Sequence, residues 1–422
     1  MPAERAVLVN VHFDPRFSKG AMTWQLADEA DELRELVTSA GCRIVGGVSA
    51  RRHRPVAGTF LGDGKLREVA EQVTALQGQV VVFNQELSPA QQRNIEDILR
   101  AKTIDRTQLI LDIFAQRARS QEGKVQVELA QLRYLLPRLI GKGIMLSRLG
   151  GGIGTRGPGE QKLEMDRRRI RAKIGHLGEE LEKLGRRREA TRSRRKETQV
   201  PVAALVGYTN AGKTTLLNRL TGASATVENQ LFTTLDPLAR RLRLPSGETL
   251  ILTDTVGFLH HLPHHLIEAF KATLEEARDA DLLLHVLDVS HPLAEQHAKA
   301  VDEVLAALEL REKPAITVLN KRDRLNDPRQ LPSLERLYDP AAAISAKTGE
   351  GLERLCALIS EQLALRLIEP TRLRLPAERA DLIASVYQSG QVLKRVEHDS
   401  AIELTARLSA KLEAALSAYI LP

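Results

Sequence analysis

Eight consecutive residues carry the densest chemistry in this sequence: Gly207-Tyr208-Thr209-Asn210-Ala211-Gly212-Lys213-Thr214. They fit G-x-x-x-x-G-K-[ST], in which glycines let backbone N–H groups close around phosphates. Apolar "VAALV" precedes them and "TTLLNRLTG" follows, so the loop lies between a strand and a helix whose N-terminus adds positive potential. Lys213 is expected to reach the β- and γ-phosphates and the Thr214 hydroxyl to bind Mg²⁺, with Thr215 continuing the set. The loop alone does not separate ATP from GTP. "NKRD" at 320–323 does. The Asp323 carboxylate can accept from N1–H and N2–H₂ of guanine, whereas adenine offers an acceptor on that edge and no amino group. Asn320 and Lys321 are expected to hold the ring and the loop. "SAK" (Ser345-Ala346-Lys347) is expected to turn the Ala346 N–H toward guanine O6.

"DTVGF" at 254–258 ends the apolar run "TLILT". Asp254 is expected to hold Mg²⁺ through water, and the Gly257 N–H to meet the γ-phosphate. Upstream, "LFTTLD" offers Thr233 and Thr234. Thr234 is the hydroxyl favoured to close onto Mg²⁺, and with Lys213 and Gly257 it makes up the expected catalytic set. Phe258 then stands where a Ras-like enzyme carries the Gln that orients water. A phenyl ring cannot do that, so water must be positioned by a backbone group, a partner or a monovalent cation. Asn210 either helps to hold K⁺ or stabilises the loop turn. Slow intrinsic hydrolysis, accelerated by a partner, is the expected consequence.

Two further clusters invite a chemical reading. His260, His261, His264 and His265 form "HHLPHH", but no Cys is near and Pro263 breaks helical spacing. An exposed switch segment is expected there rather than a zinc site. Gly152, Gly154 and Gly157 spell the dinucleotide fingerprint G-x-G-x-x-G inside "LGGGIGTRGPGE". The context fails: no clear strand precedes it, and Pro158-Gly159 interrupts the run where a helix should open. It is either a flexible hinge or, flanked by Arg148 and carrying Arg156, a loop that approaches an RNA backbone or the nucleotide-binding domain closely.

The elements that must position these residues follow from periodicity. Residues 6–13, 42–48 and 79–84 read as strands, alternating with helices at 25–40, 64–76 and 88–100, the last opened by Ser88-Pro89. Such alternation implies a parallel α/β domain over 1–105. A helical segment with the Gly-rich loop (150–159) and basic helices spans 106–198. Within it Leu163, Ile170, Ile174, Leu177, Leu181 and Leu184 form one narrow apolar stripe, as in a helical hairpin or coiled coil. Gly175, Gly178 and Gly185 argue against one rigid rod. A P-loop GTPase domain is expected over 199–365, with strands at 249–253, 282–288 and 315–319. A small α+β tail occupies 366–422. The fold class is thus α/β multidomain.

The 422 residues are 43% hydrophobic and 27% charged, as in soluble globular proteins with real cores. Cys42 and Cys356 have no metal-ligand spacing, which excludes a disulfide framework and fits a reducing compartment. No apolar run is long enough for a membrane span, and no signal-peptide pattern opens the chain, so a cytoplasmic location is expected. A monomer is expected as well. Net charge is +7, and residues 161–200 alone hold fourteen Lys/Arg against seven Asp/Glu. The remainder is balanced. One segment therefore meets a polyanion, or else is a solvated face laced with ion pairs. Aromatics are 3%, so nucleic-acid contact would rest on phosphate charge and shape.

The series "GYTNAGKT", "FTTLD", "DTVGF", "NKRD", "SAK" resembles the TRAFAC class of GTPases. "DRTQLILDIFAQRARSQEGKVQVELAQLRYLLPRL" at 105–139, "GGGIGTRGPGEQKLEMDRRRI" at 150–170 and "GFLHHLPHHLIEAFKATLEEA" narrow the resemblance to the HflX family, over nearly the whole chain. What the resemblance implies is a cytoplasmic GTPase that cycles between GTP and GDP with Mg²⁺. It also implies binding to the large ribosomal subunit, contacts with ribosomal RNA, separation of stalled or idle ribosomes, and a secondary ATPase activity. A GTP-gated subunit-assembly factor or RNA chaperone is the alternative. A third is a regulatory switch acting on another protein, which the local charge excess disfavours.

Overall fold

The computed structural model describes residues 3–13, 26–139, 158–197, 200–223, 231–232, 238–259, 271–325, 327–367, 370–398, 401–408 and 410–421. The chain forms two compact units.

The first unit is built on β1 (Arg5–Phe13), α1 (Leu26–Ser39), β2 (Arg43–Arg52), α2 (Asp63–Ala75), β3 (Val80–Phe83), α3 (Pro89–Leu99) and β4 (Lys102–Ile104). The strands make an all-parallel sheet in the order β2-β1-β3-β4. A parallel sheet is covered on both faces, which is why β1 and β3 read as continuous apolar runs. Val7, Val9, Val11 and Val81 pack against Leu66 and Val69 of α2 and Ile95 of α3. Ser88 closes a capping box with Gln91, as its place before Pro89 implied. The three-residue β4 was too short to leave a periodic signal.

Helices α4 (Arg106–Arg117) and α5 (Gln121–Arg138) follow. The two ends of the signature stretch meet inside this unit. Fully buried Asp105 caps α4 by accepting from Gln108 N at 2.8 Å, accepts Leu87 N at 3.1 Å, and pairs with Arg138 at 3.1 Å. The Arg138 guanidinium lies 3.4 Å above the Tyr134 ring. Burial among these groups pushes the Tyr134 hydroxyl pKa well up.

Residues Pro158–Glu197 form one continuous helix, α6. The expected weakening at Gly175 and Gly178 does not interrupt it. Each glycine costs about 1 kcal/mol, and two features offset this. Ile174, Leu177 and Leu181 pack on Val125, Leu129 and Leu132 of α5, and acidic–basic pairs at i,i+3 and i,i+4 lace the exposed face. The helix opens at Pro158 itself, a position proline favours. Arg148, Gly152, Gly154, Arg156 and Gly157 lie outside the described residues. Leu231 and Phe232, just ahead of Thr234, belong to this unit: Leu231 N donates to Ser39 Oγ at 3.0 Å, and Phe232 meets Phe114 edge-on at 4.5 Å.

The second unit holds β5 (Val202–Gly207), α7 (Lys213–Thr221), β6 (Leu238–Arg243), β7 (Thr249–Asp254), most of α8 (Lys271–Asp279), β8 (Leu282–Asp288), α9 (Ala294–Ala307), β9 (Ala315–Asn320), α10 (Leu331–Leu337), β10 (Ala341–Ala343) and α11 (Leu352–Leu367). Their sheet runs β10-β9-β8-β5-β7-β6, parallel except for β6 against β7. Leu205, Leu216, Leu252, Leu284, Val318 and Ile359 lie in its main core. Sequence reading missed β6 and β10: three arginines mask one edge strand, and Ala341-Ala342-Ala343 has little strand preference. The tail forms an antiparallel sheet, β11 (Thr371–Pro376), β13 (Ala401–Leu408) and β12 (Gly390–Glu397) in that order, with α12 (Ala380–Ser389) and α13 (Ala410–Ala415). Among the described residues no helix is long and apolar enough to cross a membrane, and both cysteines are free.

Candidate nucleotide site

Four strands of the second unit end on residues able to do chemistry: β5 on Gly207, β7 on Asp254, β8 on Asp288 and β9 on Asn320. Parallel pairing brings these carboxyl ends together, with Leu205 opposite Asp254, Gly207 opposite Val286 and Asp288 opposite Asn320. The sheet's connections reverse direction between β5 and β8, where open α/β sheets hold ligands.

The loop after β5 has a geometry that only its glycines permit. At Gly207 (φ +154) an added Cβ would sit 2.3 Å from the Val286 carbonyl oxygen. At Gly212 (φ +98) it would sit 2.3 Å from Asn320 Nδ2. Gly212 hands over to α7, whose first residue is Lys213. The Lys213 ammonium is buried and donates to the Gly207 and Tyr208 carbonyls at 3.1 and 2.8 Å. Burial lowers its pKa to about 8, against an opposing pull from Asp254. Thr214 Oγ1 donates to Asp254 Oδ2 at 2.7 Å, so a hydroxyl and a fully buried carboxylate meet in one place. Two hard oxygen donors of this kind suit Mg²⁺. Thr215 is half-buried on the same first turn, and Thr209 Oγ1 is buried within the loop without a hydrogen-bond partner among the described residues.

Gly257 is packed so closely that a Cβ would lie 2.8 Å from Thr209 Cα and 3.0 Å from Lys213 Nζ. Phe258 is buried, and its backbone binds the phosphate loop: Thr209 N donates to Phe258 O at 2.8 Å and Phe258 N to Gly207 O at 3.1 Å. Its ring faces the interior. Asn210 stands exposed at the tip of the loop with φ +60.

At the other end of the site one amide joins three segments. Asn320 Nδ2 donates to Ala211 O at 2.8 Å, and its Oδ1 accepts from Ala346 N at 2.9 Å. The phosphate loop, "NKRD" and "SAK" are thereby tied together. The Ala346 N–H assigned to guanine O6 thus already has an acceptor in Asn320, with which a base would compete. Lys321 takes a left-handed backbone (φ +64) and pairs with Asp288 at 2.7 Å, while Asp323 is exposed on the short turn that follows. Ser345 is fully buried and its Oγ accepts from Thr348 N at 3.1 Å, whereas Lys347 is exposed. Thr233, Thr234, His260, His261, His264 and His265 lie outside the described residues. Among those described, no cluster of three or more His, Cys, Asp or Glu is placed to hold a metal.

Residues 27–115 match the family described as GTP-binding GTPase N-terminal, 117–195 its middle region, 202–321 the 50S ribosome-binding GTPase family, and 336–419 the HflX C-terminal domain. A GTPase HflX of Lacrimispora saccharolytica is 48% identical over 98% of this chain and 96% of its own length. The GTPase HflX of Escherichia coli K12 is 42% identical over 96% and 93%. The chain belongs to the HflX family. It is a GTPase, and it binds GTP. Among solved structures, the SsGBP–GDP complex is similar over 86% of the chain and 99% of its own, with 27% identity and a TM-score of 0.49.

Membership in the HflX family does not identify every residue that shapes this site. Asp288 belongs to no motif, although it closes the apolar run "LLLHVLD" as Asp254 closes "TLILT". Arg219 of α7 steadies the "SAK" loop by donating to Thr348 O at 2.8 Å. His285 is buried beside Lys213; burial and that positive charge lower its pKa to about 4, so it is neutral. A histidine inside an apolar strand gives no sequence signal of this placement.

Proposed function

We propose that this chain is a GTP-driven factor that binds the large ribosomal subunit through ribosomal RNA and separates stalled or idle ribosomes into subunits. The observation that carries the reading is the concentration of charge on α6, which holds fourteen Lys/Arg against eight Asp/Glu and so +6 of the chain's net +7, in a chain with a tied-together guanine-nucleotide site. Arg168, Arg169 and Arg186 are each about three-quarters exposed, and their pairs with Glu164, Asp166 and Glu182 are surface pairs. Such pairs are worth little, so phosphates can replace the carboxylates. The matched family of 50S ribosome-binding GTPases supports the same partner.

The proposed division of labour assigns ribosome contact to residues 1–105 and 106–198, the GTP cycle to 199–365, and an accessory role to 366–422. In the cycle, Gly207–Thr215 cradle the phosphates, Lys213 contacts β and γ, and the Gly257 N–H meets γ. Asp323, Asn320, Lys321 and Ser345–Lys347 read the guanine. Thr214, Asp254 and Thr234 would hold Mg²⁺, and that ion would supply positive charge to neutralise the phosphates. Asn210, exposed at the loop tip, is the residue for K⁺. Replacing it with Ala should abolish any K⁺ stimulation of GTP hydrolysis; undiminished stimulation would return Asn210 to a turn-stabilising role. The protein acts in the cytoplasm as a monomer, with ATP as a secondary substrate.

The test is sedimentation of ribosomes with the protein and a non-hydrolysable GTP analogue. Intact ribosomes parting into subunits supports splitting. Binding only to immature free subunits supports the assembly-factor alternative. Absence of any salt-sensitive ribosome binding removes both.

A further inference from the structure

The phosphate-loop pattern leaves its second position open, yet here that residue is a buried aromatic. Tyr208 lies face to face with His297 of α9, ring centroids 3.9 Å apart and planes 7° from parallel. His297 in turn meets His291 at 4.5 Å. His291 sits on the turn after β8, where its Nδ1 accepts Leu293 N at 3.1 Å. Burial, reinforced by the neighbouring His291, lowers the His297 pKa to about 3, so the imidazole stacks neutral. The stack matters because of what the Tyr208 backbone does: its carbonyl is the closer of the two acceptors that hold Lys213 Nζ. Fixing the Tyr208 ring fixes that carbonyl, and with it the ammonium that meets phosphate.

We propose that His297 is a positioning residue for nucleotide binding: stacked on Tyr208, it sets the place of the Tyr208 carbonyl and so of Lys213. The proposal rests on the reading of Gly207–Thr214 as the phosphate loop. No motif marks His297, since it comes from a helix ninety residues downstream of the loop it supports.

The experiment measures GDP and GMP affinities of the full chain by competition with a fluorescent guanine nucleotide. Wild type is compared with His297→Ala, His297→Phe, Tyr208→Leu, the Ala/Leu double variant and Lys213→Ala. Loss of a stacked pair should weaken GDP about fivefold in His297→Ala and Tyr208→Leu. GMP, which has no β-phosphate for Lys213, should be unchanged. His297→Phe, which keeps a flat ring, should restore GDP affinity, and the double variant should lose no more than either single one. A merely structural role would lower both affinities together, and no flat ring would rescue them selectively. GDP affinity within twofold of wild type in His297→Ala, or an equal loss for GMP, overturns the proposal. Should His297→Ala not fold, Tyr208→Leu decides the same question. Unchanged GDP binding in Lys213→Ala would instead overturn the phosphate-loop reading itself.

Discussion

Lys213 offers a test of the site through pH and one variant. Its ammonium is buried, and burial lowers its pKa from 10.5 to about 8 in the protein by itself. A bound phosphate restores the charge, so nucleotide binding above that pKa requires proton uptake. Between pH 7 and pH 9 the charged fraction falls from about nine-tenths to one-tenth, and GDP affinity should fall about tenfold. Stability of the nucleotide-free protein should move the opposite way. The folded pKa lies below the unfolded one, so the unfolded chain binds the extra proton between about pH 8 and 10.5. Stability therefore rises with pH across that window, by about 1 kcal/mol between pH 8 and pH 9. Calorimetric titration of GDP and urea unfolding, each at pH 7, 8 and 9, measure the two slopes. Lys213→Arg is the control, because a guanidinium stays charged throughout and carries any contribution from the guanine itself. A wild-type GDP affinity that changes less than twofold, or an Arg variant with the same slope, would refute the reasoning.

Asn320→Ala leaves the Ala346 N–H and Ala211 C=O without their side-chain partner, and GDP affinity should drop roughly thirtyfold by the cost of unpaired buried groups. Asp323→Asn removes a two-fold acceptor; GTP binding should weaken roughly 100-fold while XTP, whose C2 carbonyl accepts from the new amide, gains, as competition binding would show. Asp105→Ala removes the buried carboxylate that pairs with half-buried Arg138 and leaves the Gln108 and Leu87 N–H groups without it, while Arg138 keeps the Gln92, Tyr134 and Leu87 oxygens, so urea unfolding should report a loss of about 3 kcal/mol. Phe258→Gln places an amide in the core: urea unfolding should report a loss of about 3 kcal/mol, and the intrinsic GTP hydrolysis rate should not rise.

Much of this architecture is readable because its signals are local. The three N-terminal strands and their helices follow from alternating apolar runs, and Ser88-Pro89 caps α3 by chemistry contained within four residues. The phosphate loop is readable because Gly207 and Gly212 hold backbone positions that no side chain can share. What escaped depends on residues far apart. Whether Gly175 and Gly178 break a helix is decided by Val125 and Leu129 of another helix, not by the glycines. Edge strand β6 has only β7 to pair with, so its arginines need not alternate as a half-buried strand's would. Asp288 and His297 act through Lys321 and Tyr208, contacts that exist only once β8, β9 and α9 are assembled.

Phe258 shows how far such reasoning reaches. Its residue type alone excludes it as a water-orienting group. The structure adds the reason that no single substitution there creates one. The backbone of Phe258 is hydrogen-bonded to Gly207 and Thr209, so the segment after Asp254 and the phosphate loop form one rigid piece. The direction of the 258 side chain is fixed by that pairing, and it leads into the core. A glutamine at this position would bury its amide rather than present it to the γ-phosphate. The group that orients water must therefore approach from the open side of the loop, where Asn210 stands exposed with φ +60. That is also the side open to a bound partner, and the proposed function predicts that hydrolysis by the isolated protein is slow and that ribosomes raise it; a rate that ribosomes leave unchanged would refute this.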